Sequence, residues 1–256
     1  MILSAKNISI KYDKEIIIDD ESFEIKKGKI NVFLGKNGCG KSTLFKSLCK
    51  QLNPYSGNIF LNDKNINKIK NKDFAKITSI LFQENIAPND LTVKELVSYG
   101  RFPHIGLYSD LNNNDKKIIE ESLTLTNTKQ FENRSVTELS SGQRQLVWIA
   151  MLLTQNTNII FFDEPTTYLD LKNQYEVMNC IEKINKELNK TVIIILHDIN
   201  LAIQYADYIF MMKNGKIKYS GTIDEVITTN NIKDIFDINV SIIKDKGQTF
   251  ICPLKN

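Results

Sequence analysis

Nine consecutive residues carry the first chemistry in this chain. Gly35-Lys36-Asn37-Gly38-Cys39-Gly40-Lys41-Ser42-Thr43 fits the spacing G-x-x-x-x-G-K-[ST]. The glycines let the backbone wrap with its N–H groups pointing inward. A helix start adds its positive end, and together they make an anion site suited to α- and β-phosphates. Lys41 is spaced to reach the β- and γ-phosphates, and the Ser42 hydroxyl to bind Mg²⁺. A second run, Ile159-Ile160-Phe161-Phe162-Asp163-Glu164, ends in two carboxylates. Its apolar part buries as a central strand, which puts Asp163 at the carboxyl end, where open α/β sheets bind ligands. Asp163 then holds Mg²⁺ through water, and Glu164, one residue on, faces an attacking water as general base. Cys39 lies between two phosphate-loop glycines. Lys41 and the helix start predict a thiolate there, and alkylation blocked by nucleotide.

The elements that position these residues can be read from hydrophobic periodicity. Residues 2–10, 16–25 and 29–34 are Ile/Val/Phe-rich runs separated by polar turns, which predicts strands. Leu44, Phe45, Leu48 and Leu52 recur at helical spacing, a helix ended by Pro54 to Gly57. Residues 90–157 read as mostly helical, with a polar helix start at 112–115. From 158, strands (158–163, 191–196, 208–212) alternate with helices (170–188, 199–205), the pattern of a parallel sheet covered by helices. The tail from Gly221 predicts one or two short helices and a closing strand near Phe250.

Composition bounds the rest. The 256 residues are 42% apolar and 25% charged, which fits a soluble globular chain and excludes disorder. Net charge is +3, and the lysines are dispersed rather than bunched, against a dedicated nucleic-acid groove. Four scattered cysteines without a C-x-x-C pair indicate neither a zinc site nor a disulfide framework, and reduced thiols in a cytosol are the default. No apolar run approaches the ~18 residues of a membrane span, and no secretion signal is visible. The expectation is a soluble, intracellular chain.

Leu139-Ser140-Ser141-Gly142-Gln143 resembles the L-S-G-G-Q signature of ATP-binding-cassette (ABC) ATPases, and it lies between the phosphate loop and Asp163-Glu164 as in that family. Tyr12 resembles the aromatic that stacks on adenine, Gln83 the Q-loop glutamine, Thr167-Tyr168-Leu169-Asp170 the D-loop, and His197 the switch histidine. From local physics alone His197 could also be a capped core histidine after a buried strand. Ser141 departs from the family in replacing the first signature glycine. A serine fits there if its φ is negative. Leu146 stands where many relatives carry a basic residue.

The resemblance implies an α/β fold: a P-loop NTPase (RecA-like) core with a mainly parallel sheet, an N-terminal antiparallel β-subdomain and an α-helical signature subdomain. It spans residues 1–237, with the helical subdomain at about 84–157 and an extension at 238–256. It implies ATP and Mg²⁺ as cofactors. Catalysis falls to Glu164, His197 and Lys41. ATP contacts fall to Tyr12, residues 35–43, Gln83, Ser140, Gly142 and Gln143, metal contacts to Ser42, Gln83 and Asp163, and the D-loop carries Asp170. Two copies would sandwich two ATP head to tail, each signature completing the other's phosphate loop.

Within the family, Leu96-Val97-Ser98-Tyr99-Gly100-Arg101-Phe102-Pro103-His104 resembles the ATPases of iron-siderophore, haem and vitamin B12 importers, with the iron(III)-siderophore group nearest. Taken alone, the same stretch is equally an ordinary helix C-terminus with glycine and proline stops. The importer reading implies a peripheral subunit on the cytoplasmic face of the membrane. It docks two permease subunits through about residues 84–110 and is served indirectly by an extracytoplasmic binding protein. Competing readings are a haem or cobalamin importer ATPase, a soluble ABC ATPase acting on DNA or ribosomes, and a P-loop switch that binds but barely hydrolyses. The length leaves no room for the second cassette or long coiled coil usual in soluble ABC ATPases, and Glu164 argues against a non-hydrolysing switch.

Overall fold

A computed structural model describes residues 2–12, 15–85, 90–105 and 110–254. In chain order the elements begin with strands β1 (Leu3–Tyr12), β2 (Glu15–Glu24) and β3 (Ile30–Gly35), then helix α1 (Lys41–Leu48), β4 (Ser56–Leu61) and β5 (Lys64–Asn65). They continue with α2 (Asn71–Ala75), β6 (Thr78–Leu81), α3 (Val93–Ser98), α4 (Asn113–Leu125), α5 (Ser141–Thr154), β7 (Ile159–Asp163) and α6 (Leu171–Leu188). The last part holds β8 (Thr191–Ile195), α7 (Ile199–Tyr205), β9 (Tyr208–Lys213), β10 (Lys216–Gly221), α8 (Ile223–Val226), α9 (Thr229–Phe236), β11 (Val240–Asp245) and β12 (Gln248–Pro253).

The chain forms two compact units, one of residues 1–69 and 191–256, the other of residues 70–190. In the first, β2, β1, β4 and β5 make an antiparallel sheet, where alternating burial along β1 gives one wet face. Beside it β3 pairs in parallel with both β8 and β9, and β10 closes the edge antiparallel to β9. All six residues of β3 and all five of β8 are buried, as continuous Ile/Val/Phe runs require of strands covered on both faces. The stacked rings of Phe33 and Phe210, with centroids 4.8 Å apart, lock β3 to β9.

In the second unit β6 and β7 pair in parallel, and α3, α4 and α5 pack together. Arg101 ties these helices from inside. Its Nε donates to Asp115 Oδ1 at 2.8 Å and a terminal nitrogen to the Thr154 carbonyl at 2.6 Å, with both charged side chains buried. Such a pair holds only because its hydrogen bonds are complete.

Some local features differ from the sequence reading. Helix α1 stops at Leu48, short of Leu52, because Lys50 takes a left-handed φ of 63° and Ser47 Oγ caps the Leu52 carbonyl at 2.7 Å. Strand β10 was not foreseen, since its apolar residues alternate with lysines at a sheet edge. The tail closes as a hairpin of β11 and β12 turning at Lys246-Gly247, rather than as one strand. No helix among the described residues is long and apolar enough to cross a membrane.

Candidate functional site

Each unit presents part of the chemistry at the carboxyl ends of its parallel strands. In the first unit the phosphate loop leaves β3. Its outer turn, Lys36 to Gly38, is exposed, while Cys39, Gly40 and Lys41 are buried. Gly40 precedes α1 with φ 102°, ψ 4°, a conformation that L side chains rarely adopt, and as the N-cap residue it has no side chain with which to cap the helix. The first-turn N–H groups and the helix's positive end lie where the motif places its expected anion cradle. Lys41 Nζ reaches back to the Gly35 carbonyl at 2.7 Å and the Lys36 carbonyl at 3.0 Å. Its ammonium thus stands at the loop's own mouth. Ser42 is exposed beside it and Thr43 half-buried. The loop is braced by the Cys39 carbonyl, which accepts from Gly215 N at 3.0 Å.

Cys39 corrects the sequence reading. Its thiol is only 7% exposed, with Lys41 Nζ 4.0 Å away. Burial pushes the thiol pKa up and outweighs the lowering by Lys41. Burial therefore disfavours the predicted thiolate, because desolvation penalises the charged form more than one ammonium favours it.

His197 leaves β8 on the same side of the sheet as the phosphate loop leaves β3. The register Phe33↔Ile195 brings Gly35 and His197 level on adjacent parallel strands. The imidazole is exposed, which removes the core-histidine alternative. Tyr12 ends β1 and is exposed, as a stacking platform must be.

In the second unit the register Leu81↔Phe162 likewise brings Gln83 level with Glu164. Gln83 Nε2 donates to Glu164 Oε2 at 2.9 Å, and Thr167 Oγ1 donates to the same oxygen at 3.2 Å. Glu164 takes φ 52°, an uncommon conformation for a non-glycine that turns the chain sharply at the strand end. Asp163 is buried at the end of β7. The loop then runs through Tyr168, with φ 64° and 86% exposure, to Asp170, which caps α6 by accepting from Asn173 N at 2.8 Å.

The signature motif starts α5. Ser140 is its N-cap, closed reciprocally with Gln143: Gln143 N donates to Ser140 Oγ at 3.3 Å, and Ser140 N to Gln143 Oε1 at 3.1 Å. Ser141 sits at the first helical position, so its φ is negative and the departure from glycine is accommodated. Gly142 is required by close approach: a Cβ there would lie 2.3 Å from Asn173 Oδ1 and 2.9 Å from Asn173 Cβ. Gln145, not singled out in the sequence, links α5 to the carboxylate loop by donating to the Pro165 carbonyl at 2.9 Å. A 20-residue separation left no local signal for that contact.

The stretch that resembles importer ATPases has a structural role too. Arg101 is the buried anchor described above, and His104 Nε2 bonds the Gln155 carbonyl at 2.8 Å. Of the expected docking region 84–110, residues 86–89 and 106–109 lie outside the described residues.

A strand-end phosphate loop, a capped signature helix and strand-end carboxylates, in this chain order, define an ATP-binding cassette. The ABC transporter family profile matches residues 18–167, and the chain belongs to that family. It is 42% identical over 243 residues to the iron(3+)-hydroxamate import ATP-binding protein FhuC of Bacillus subtilis (strain 168), covering 95% of this chain and 90% of that protein. Ferric enterobactin transport ATP-binding protein FepC of Escherichia coli (strain K12) is 34% identical over 254 residues, covering 98% and 94%. Among solved structures, a metal-chelate type ABC transporter in an inward-facing conformation matches with a TM-score of 0.85 at 28% identity, covering 99% of this chain and 97% of that chain.

Proposed function

We propose that this chain is the ATP-hydrolysing subunit of an importer of iron(III)-siderophore complexes. The likeness to siderophore-import subunits along nearly the whole chain carries the cargo class. The two strand-end constellations carry the chemistry. The backbone cradle of residues 35–43 and Lys41 hold the phosphates, Tyr12 stacks on the adenine, and His197 bonds the γ-phosphate. Ser42, Asp163 and Gln83 offer a hydroxyl, a carboxylate and an amide oxygen, all hard oxygen donors. That sparse oxygen set fits Mg²⁺, which keeps several waters and takes phosphate oxygens as its other ligands. When bound, Mg²⁺ neutralises charge developing on the phosphates. Glu164, held by Gln83 and Thr167, takes the proton of the water that attacks the γ-phosphorus.

The Ser140–Gln143 cap and Gly142 then serve a second copy, closing over its γ-phosphate, while Tyr168 to Asp170 face that copy. Exposure of Tyr168 and of Leu171, at 86% and 70%, supports a surface that a second chain covers. Residues near 84–110 receive two membrane permeases at the cytoplasmic face, and an extracytoplasmic binding protein delivers the chelate.

Reconstitution of the chain with its cognate permease pair and binding protein in proteoliposomes tests this reading. ATP-dependent uptake of ⁵⁵Fe-labelled ferric hydroxamate is expected. Uptake of haem or cobalamin in its place would reassign the cargo, and a chain that assembles with no membrane subunit would overturn the importer reading.

A further inference from the structure

The C-terminal hairpin reaches the helix that follows His197. Helix α7 starts two residues after that histidine, with Asp198 as its N-cap, and two side chains fix its first turn. Asp198 caps it, accepting from Asn200 N at 2.7 Å and Leu201 N at 3.1 Å. Asn200 spends its own side chain elsewhere. Its Nδ2 donates to the Ile251 carbonyl at 3.2 Å, and its Oδ1 accepts from Ile251 N at 2.8 Å. The amide thus pairs with both backbone groups of one residue of β12, as a neighbouring strand would. The side chain of Ile251 is buried there, and α7 contributes buried Leu201, Ala202, Ile203 and Tyr205.

The two ends of the His197 link are held differently. On one side β8 is buried and paired to β3, so it is fixed by the sheet. On the other side α7 is only seven residues long, too short to be rigid alone. A two-stranded hairpin is no more stable by itself. The two pack against each other, and Asn200 is the polar joint between them, three residues from the imidazole.

We propose that Asn200 is a positioning residue for His197, through which the C-terminal hairpin sets where the imidazole stands. This rests on the reading of His197 as the γ-phosphate contact. The chain has only two histidines, so imidazole NMR resolves the effect directly. In full-length Asn200→Ala, the His197 signal is expected to shift while that of His104 stays. Turnover of Mg-ATP falls roughly 10–100-fold, the scale of a small misplacement of a reacting group, with KM for ATP within about twofold. Asn200→Asp keeps the bond from Ile251 N and is expected to recover part of the rate. In a His197→Ala background the Asn200→Ala change adds nothing, since both act through one group.

An unmoved His197 signal with wild-type turnover would overturn the proposal, as would an equal further loss in the His197→Ala background. Wild-type turnover by His197→Ala alone would instead sink the γ-phosphate reading, while the NMR shift would still report whether Asn200 positions the ring.

Discussion

Two loops leave the carboxyl ends of buried parallel strands in this protein, and they are built on opposite plans. The phosphate loop after β3 is made of backbone. Gly38 and Gly40 supply its left-handed turns, the N-cap of α1 is a glycine without a side chain, and Lys41 is held by the loop's own carbonyls. The loop after β7 is made of side chains. Glu164 and Tyr168 take left-handed φ values without being glycine, Glu164 is held by Gln83 and Thr167, and Asp170 caps the next helix. The first plan fixes the loop by backbone geometry. The second holds a carboxylate by two side-chain hydrogen bonds at backbone positions that are strained for non-glycine residues.

The sharpest way to separate the two is to remove function from one without disturbing the other. Glu164→Gln keeps both hydrogen bonds to neighbours feasible but loses the base. ATP hydrolysis is expected to fall about 10²–10⁴-fold while ATP binding stays within a few-fold of wild type. Steady-state phosphate release and equilibrium nucleotide titration read the two separately. Wild-type turnover would remove Glu164 from its assigned role. Gly40→Ala strikes the backbone plan. At φ 102° the new Cβ is strained, and it meets Ile18 Cδ1 at 2.8 Å. A stability loss of about 1–3 kcal/mol with loss of ATP binding is expected by denaturant titration and nucleotide binding. Retained binding would show that the cradle is not set by that glycine.

How far each loop could be read from sequence follows from the same contrast. A backbone cradle needs particular residues at fixed spacing, so Gly35 to Thr43 announced both its conformation and its chemistry. Strands β3, β7 and β8 were legible because full burial demands unbroken apolar runs. The side-chain loop was legible only in its identities. Nothing local told that Gln83 would bond Glu164, because 81 residues separate them and only the register of β6 on β7 makes them neighbours. The same holds for Arg101 with Asp115, and for Asn200 with Ile251. Strands β10 and β11 escaped because edge strands mix lysine and serine among apolar residues. Cys39 misled for a different reason: spacing shows which charge is near, but not how much water is gone.

That last point gives a prediction about accessibility rather than catalysis. Cys39, Cys49 and Cys180 are buried, and Cys252 in β12 is half-exposed. Burial raises the Cys39 thiol and pushes Cys180 up to about 12. Thiolate is the reactive form and accumulates only as pH approaches the pKa, so the raised thiols stay protonated at pH 7.5 and gain reactivity only at higher pH. Iodoacetamide at pH 7.5 is expected to modify Cys252 first and Cys39 slowly, by peptide mass mapping. Fast labelling of Cys39 would show that the phosphate loop opens on its own, against the rigid plan assigned to it.

The smallest expected effect tests the strained plan itself. Tyr168 is exposed and its φ of 64° costs a non-glycine residue about 1 kcal/mol, which glycine does not bear. Added freedom of the unfolded chain offsets part of that gain. Tyr168→Gly should therefore leave the isolated chain as stable as wild type or slightly more so by thermal unfolding, although a large aromatic has been removed. A clear loss of stability in the monomer would mean that the ring supports its own fold. If stability holds but ATP-driven pairing of two chains weakens, measured by light scattering with Glu164→Gln to block turnover, the strain is kept for what Tyr168 meets on a second copy. The backbone-built loop offers no such residue to exchange, since its positive-φ positions at Gly35, Gly38 and Gly40 are all glycine already.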